Sequence, residues 1–302
     1  TYPDDSDDAE DIIQRIHYAR SDHKGHHKPN ELIHLRKEAL EEARRFKEVA
    51  HRIEEAILDN SLELNFQPIY SFEKNRITSL EVLSRLKDGK HNYINPEYFI
   101  HVAEINHTII QLSRQMFEKT CRFAVDNNIF DRGINDMNIN ISPIQCQDKH
   151  LVQDLKKIAA KYGIPFERFH FEITESRLTD EKAVRETLTK LKENGAKIAL
   201  DDFGTGYSNI ASIMLMPIDF VKIDKSLLWS YASGDNEFLN ELMPMIRGEG
   251  KKIIAEGIET EEHIEILRRM GGDFLQGYYY SKPLNEENFI RFLDARNNGA
   301  EA

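Results

Sequence analysis

The sequence predicts an α/β protein: a (β/α)8 TIM-like barrel with an antiparallel first strand and an N-terminal helical extension. Three observations carry this. Short β-rich runs recur eight times after residue 61. Helical patterns separate most of them, as in a barrel of parallel strands. The link between the first two runs, residues 71–76, is too short for a crossover helix, so that pair must form a hairpin.

In chain order, residues 8–21 read as a short amphipathic helix, followed by a polar loop at 23–29. Residues 29–60 form a linker helix. Its apolar positions Leu40, Ala43, Phe46, Val49, Ile53 and Ile57 recur at three- and four-residue spacing, and charges fill the other face. That stripe is read as packing on the chain's own barrel rather than as a coiled coil. The barrel occupies 61–296, and 297–302 is a tail. Its strands are expected at 62–70, 77–86, 137–142, 169–174, 197–203, 220–224, 252–258 and 273–280. Helices are expected at 96–128, 148–162, 180–194, 235–248, 260–271 and 285–296. No internal repeat is visible.

The chain has 302 residues, 40% hydrophobic and 30% charged, enough to build a full core. A net charge of −12 without a long basic run disfavours duplex nucleic acid, which is bound by neutralising phosphates with Lys and Arg. An acidic protein can still bind a small anion when a metal sits between them. Cys121 and Cys146 form no disulfide framework and no CxxC pair, so a reducing cytoplasm is the expected compartment. No run of 18 apolar residues is present, and the acidic start at Thr1 has no apolar signal region. A chain beginning at Thr1 reads as a piece of a longer protein, whose other parts could be membrane-anchored.

The strand ends carry the chemistry. The second strand brings Glu81, Leu83 and Arg85. The third brings Asn138, Asn140 and Ser142 on one face by the two-residue period. The fourth offers His170, Glu172 and Glu175, and the fifth ends on Asp201-Asp202-Phe203-Gly204. Lys222, Glu256 and Gln276 follow on the sixth, seventh and eighth. Barrel enzymes draw their catalytic groups from the C-terminal ends of several strands.

Five carboxylates, those of Glu81, Glu172, Asp201, Asp202 and Glu256, would converge on one mouth. Two like charges about 4 Å apart repel by roughly 4 kcal/mol at an effective dielectric near 20, so such a group calls for cations. Oxygen ligands with Asn140 as a neutral partner suit Mg2+ or Mn2+ rather than zinc. Adjacent Asp201 and Asp202 let one carboxylate bridge two ions while the other binds only the second. Paired ions are a standard device for attacking a phosphodiester, and Lys222 could stabilise the nucleophile or the transition state.

Eight segments in order resemble one family. They are Gln67-Pro68-Ile69, Glu81-Val82-Leu83-Ser84-Arg85, Asn140-Ile141-Ser142-Pro143, Glu172-Ile173-Thr174-Glu175, Asp201-Asp202-Phe203-Gly204-Thr205-Gly206-Tyr207-Ser208, Lys222-Ile223-Asp224, Glu256-Gly257-Ile258-Glu259 and Gln276-Gly277-Tyr278. In sequence and spacing they are similar to the motifs of EAL-domain phosphodiesterases, which hydrolyse cyclic di-GMP to linear pGpG. The resemblance runs from about residue 60 to 296.

The resemblance implies roles for these residues. Glu81, Asn140, Glu172 and Asp201 would hold the first ion; Asp201, Asp202 and Glu256 would hold the second. Lys222 would hold the catalytic water, with Gln276 in the same active site. Gln67, Leu83 and Arg85 would grip the nucleotide, Arg85 through a phosphate. Glu175 would organise the loop 203–212, and Glu259 would support the end of the seventh strand. A homodimer through the 203–216 region and an upstream regulatory domain are the implied partners. Residues 8–21 are similar to the last helix of a GGDEF domain, so 1–28 reads as the remnant of a preceding domain.

Val82 departs from the family's alanine, and Leu86 from its usual aromatic. Alternation points Val82 away from the Glu81 face. Several residues have plainer readings. His23, His26 and His27 belong to a solvated loop, and His170 is a hydrogen-bonded core histidine. Cys121 and Cys146 are buried thiols, and Met214 and Met216 are core or interface residues. Taken singly, an acidic residue on a strand end is more often a solvated rim than a ligand; eight ordered motifs reverse that weighting. A catalytically silent cyclic di-GMP receptor is the alternative to an active enzyme. A one-metal enolising barrel fits less well, since it leaves Asp201-Asp202 with Asn140 unexplained.

Overall fold

The computed structural model describes residues 37–174, 181–204 and 216–298, together with Ile12. The expected loop at 23–29, and the 8–21 helix apart from Ile12, lie outside the described residues. Helix α1 (Lys37–Leu58) leads into the hairpin of β1 (Glu63–Ser71) and β2 (Arg76–Arg85). The chain then alternates: α2 (Pro96–Ile105), α3 (Ile109–Asp126), β3 (Asp136–Asn140), α4 (Pro143–Cys146), α5 (Leu151–Lys161), β4 (Phe169–Thr174), α6 (Glu181–Glu193) and β5 (Lys197–Phe203). It continues with β6 (Phe220–Ile223), α7 (Lys225–Ala232), α8 (Leu239–Gly248), β7 (Lys252–Ala255) and α9 (Glu261–Met270). The last elements are β8 (Phe274–Leu275), β9 (Leu284–Asn285) and α10 (Glu286–Asn298).

Strands β2 to β8 run parallel in sequence order. Strand β1 closes the barrel by pairing antiparallel with β2 on one side and β8 on the other. The antiparallel hairpin expected from the short 71–76 link is therefore present. Because β1 runs backwards, its early residues reach the end that the other strands reach with their C-termini, and Gln67 lies opposite Glu81.

Alternation sorts the strand side chains into two shells. Outward-facing Phe66, Leu80, Val82, Ile139 and Phe171 are buried beneath the helices. Inside the barrel, Ile69, Ala199, Phe220 and Ile254 form a small apolar plug with Phe274 against it. Each large apolar side chain so buried contributes roughly 1.5–3 kcal/mol. One inward step further on lie Gln67, Asp201, Lys222 and Glu256, so the polar layer rests directly on this plug. Val82 is in the outer shell, away from the Glu81 face, as alternation expects. His170 is a core histidine, stacked on Phe220 with its Nε2 3.5 Å from Asp136 Oδ1.

The α1 stripe packs on the chain's own barrel: Val49, Ile53 and Ala56 are buried, and Arg45 lies over the Tyr98 ring. Both cysteines are buried, which pushes their thiols up to about 12 and leaves them inert as nucleophiles. Among the described residues, no helix is long and apolar enough to cross a membrane.

Several elements differ from the sequence expectation. The single helix expected at 96–128 is two, because His107 takes a positive φ of 56° and turns the chain between α2 and α3. The eighth strand is only Phe274–Leu275: after Gln276 the backbone leaves the ladder, and the Tyr280 and Ser281 amides bond back to the Gly277 carbonyl. Three elements were not expected. Helix α4 is a single turn capped by the Ser142 hydroxyl on the Ile144 amide. Strand β9 pairs with Asn65 and Phe66 of β1, and α7 is capped by the Asp224 carboxylate on the Ser226 amide.

Candidate active site

At the mouth, the Lys222 ammonium stands amid four carboxylates. Its Nζ lies 2.8 Å from Glu172 Oε2, 2.9 Å from Glu256 Oε1, 3.0 Å from Asp201 Oδ1 and 3.6 Å from Glu81 Oε2. Lys222 is 1% exposed, so water screens these contacts little. Asn140, paired with Glu172 across β3–β4, donates through Nδ2 to Glu81 Oε1 at 3.0 Å. Gln276 Nε2 donates to the other Glu81 oxygen at 2.5 Å and to Gln67 Oε1 at 3.2 Å. Glu81 is thereby held on both oxygens by amides from β3 and from the end of β8.

On a regular strand Asp201 and Asp202 would face opposite sides. Here the β5–β6 register shifts between Leu200 and Phe203, and Asp202 adopts a left-handed φ of 54°. Such an irregularity re-aims a side chain, and aspartate is among the few residues that tolerate that backbone region. Two triads of carboxylate oxygens result, one of Glu81, Glu172 and Asp201, the other of Asp201, Asp202 and Glu256. Within each, the oxygens lie within 4.8 Å of one another. Asp201 belongs to both.

The electrostatics of the metal-free cluster are uneven. Burial and the repulsion of Glu81 and Asp201 lift Glu172 well above the usual carboxylate range, against the pull of Lys222. Burial, reinforced by Asp201 and Glu81, pushes Glu256 up to about 8. Burial, then Asp201, pushes Asp202 up to about 6. Glu81 stays below its ordinary value, because Lys222 and its two amide partners outweigh its burial. Burial opposes the Lys222 charge, but the surrounding carboxylates outweigh it and hold the ammonium well above its ordinary value.

One lysine does not satisfy this group. Glu172 Oε1 is fully buried without a hydrogen-bond partner, an arrangement that calls for an explanation. All-oxygen triads with an orphaned carboxylate oxygen fit hard divalent cations such as Mg2+ or Mn2+. The EAL domain family's sequence profile matches residues 50–283. The chain belongs to the EAL domain family.

Relatives agree with this membership. The signaling protein YkoW of Bacillus subtilis is 32% identical over 245 residues, covering 80% of this chain and 30% of its own length. The cyclic di-GMP phosphodiesterase NbdA of Pseudomonas aeruginosa is 27% identical over 297 residues, covering 97% of this chain and 38% of its own. The solved PaMucR phosphodiesterase, a complex with cyclic di-GMP, matches with a TM-score of 0.72 and 28% identity over 80% of this chain and 99% of that one. The chain spans about a third of the length of the curated relatives it matches.

Around the EAL mouth, Leu83 and Arg85 are half-buried at the end of β2, and Glu81, Tyr93 and Tyr278 are charged or titratable neighbours of Arg85. Glu259, three residues after Glu256, is exposed, and its backbone N–H donates to His263 Nδ1 at 3.4 Å. Glu175, Met214 and the 205–215 stretch of the expected dimer region lie outside the described residues; Met216 is buried.

Divalent cations should therefore stabilise the fold. An ion at 100 times its Kd adds about 2.7 kcal/mol, and at roughly 2–4 °C per kcal/mol for a domain of this size the melting temperature should rise by roughly 5–10 °C. A cation held there would displace protons that Glu256 and Asp202 hold up to about 8 and about 6, so the rise should grow as pH increases across that window. Thermal melts with and without Mg2+ at several pH values check this; a melting point indifferent to Mg2+ throughout would contradict it.

Proposed function

We propose that this domain is a two-ion phosphodiesterase that opens one phosphodiester of cyclic di-GMP to give linear pGpG in the cytoplasm. The two carboxylate triads sharing Asp201 around Lys222 carry this reading. Glu81, Asn140, Glu172 and Asp201 would hold one Mg2+ or Mn2+ ion, and Asp201, Asp202 and Glu256 the other. When bound, such ions supply an activated water and neutralise the charge that develops on the phosphate.

The chain's own residues do the rest. Arg85 grips a phosphate, with Gln67 and Leu83 on the nucleotide, and Gln276 fixes Glu81 in the orientation an ion needs. Lys222 orients the attacking water by hydrogen bonding and opposes the growing negative charge. The water oxygen bonds to phosphorus, the bond from phosphorus to the 3′-oxygen breaks, and that oxygen takes up a proton. The product keeps a 5′-phosphate.

In the same proposal Glu175 organises the 203–212 loop, Glu259 supports the end of β7, and two copies pair through 203–216. A preceding regulatory segment, of which 1–28 is the remnant, acts through the 29–60 linker. Sedimentation of the protein and a raised metal requirement in Glu175→Ala check the pairing and the loop.

Chromatography of cyclic di-GMP incubated with the protein tests the function. pGpG should form with Mg2+ and with Mn2+. Ca2+ should support nucleotide binding while blocking turnover, because it is larger, accepts looser geometry and activates water poorly. Full activity with Ca2+ alone would count against the mechanism. Tight nucleotide binding without product in either Mg2+ or Mn2+ would favour a silent receptor.

A further inference from the structure

We propose that Trp229 is a positioning residue for the second ion, clamping the backbone beside Glu256; this rests on the two-ion reading above. Helix α7 touches both sides of the Asp201–Asp202–Glu256 triad. Its first residue, Lys225, lies hard against Gly257, the residue directly after Glu256: a Cβ at 257 would come within 2.2 Å of Lys225 Cβ, and φ there is +66°. Two residues further along, Leu227 fills the space at Gly204, two residues after Asp202, where a Cβ would come within 2.1 Å of the leucine side chain and φ is +106°. Neither glycine accepts a side chain, so the helix can seat against both ligand-bearing loops.

Trp229 completes the contact. Its indole Nε1–H donates to the Gly257 carbonyl at 2.9 Å. The indole has a single donor, and although the side chain is 38% exposed that donor bonds this loop. The Lys225 ammonium lies 5.4 Å from the ring centroid, over its face, which holds the ring in place. Glu256 in turn is anchored by its own amide to the Ile223 carbonyl at 3.0 Å, on the strand that runs into α7. Glu256 is therefore gripped on one side by β6 and on the other, through Gly257, by Trp229. The other two members of the first triad, Glu81 and Glu172, stand on β2 and β4, away from the two loops that α7 seats against.

Partners of this kind around metal ligands change affinity by about 10- to 100-fold when removed. Trp229→Phe keeps the ring and deletes the donor. Mn2+ titrations followed by electron paramagnetic resonance, on the whole chain without substrate, read the affinity of each ion. The second ion should bind about tenfold more weakly in Trp229→Phe, with the first ion unchanged. In the wild-type chain, emission from Trp229, its single tryptophan, should follow occupancy of the second ion. Unchanged affinities in the variant would overturn the proposal. Equal weakening of both ions, or a variant that fails to fold, would make the indole a structural anchor and also overturn it. A wild-type chain that binds fewer than two ions would instead sink the two-ion reading itself, and this proposal with it.

Discussion

Replacing Lys222 by alanine is expected to lower turnover by about 10²- to 10³-fold or more, the usual consequence of losing one preorganised donor at a reacting centre. Nucleotide affinity should change little, because in the proposed mechanism Lys222 acts on the water and the developing charge rather than on the bound nucleotide. Stability should show a second effect. In the metal-free protein Lys222 is the counter-charge at 2.8 to 3.6 Å from four carboxylates. Removing one partner of a buried ionic group costs about 3–5 kcal/mol. With Mg2+ bound, much of that loss should disappear, since the ions take over the neutralisation. Melting curves with and without Mg2+ separate the two effects. A variant that retains more than about a tenth of the wild-type rate would remove Lys222 from the chemistry.

Asp201→Asn should be as damaging to turnover, with the opposite sign in the metal-free fold. Asp201 belongs to both triads, so the substitution should weaken both ions and lower activity by more than about 10³-fold. Asparagine keeps an oxygen to accept the Asp202 amide, which bonds Asp201 Oδ1 at 3.0 Å, while removing one negative charge from a crowded cluster. Metal-free stability should hold or rise, whereas Lys222→Ala lowers it. Calorimetric metal titration and thermal melts on both variants check this contrast. A stability loss in metal-free Asp201→Asn comparable to that of Lys222→Ala would mean the carboxylates do not repel as described.

The barrel was legible in the sequence because short β-rich runs alternate with helical patterns and the link of the first hairpin is short. The elements that escaped depend on tertiary contacts. The α2–α3 break at His107 follows from one left-handed residue inside a continuous helical pattern. Strand β9 owes its existence to the edge of β1 at Asn65 and Phe66, and a two-residue run carries no periodicity to read. Helix α7 carries a signal in Asp224, a good N-cap that is also the last residue of the Lys222-Ile223-Asp224 motif.

The candidate site was legible as a set of residue types but not as an arrangement. Alternation places Glu81, Glu172 and Lys222 inside, yet it would turn Asp202 outward; only the β5 irregularity lets it join the second triad. The position of Lys222 among four carboxylates, and the double amide grip on Glu81, depend on how far each strand climbs past its neighbour. The local sequence does not encode that stagger. Trp229 offered no signal at all, because its partner is a backbone carbonyl from a distant loop.

The most direct test of the account is hydrolysis of cyclic di-GMP in heavy-oxygen water with Mn2+, followed by mass spectrometry of the product. The account predicts linear pGpG with one heavy oxygen in its 5′-phosphate and none in its 3′-hydroxyl. Absence of product under saturating Mn2+, or label in the 3′-hydroxyl, would contradict it.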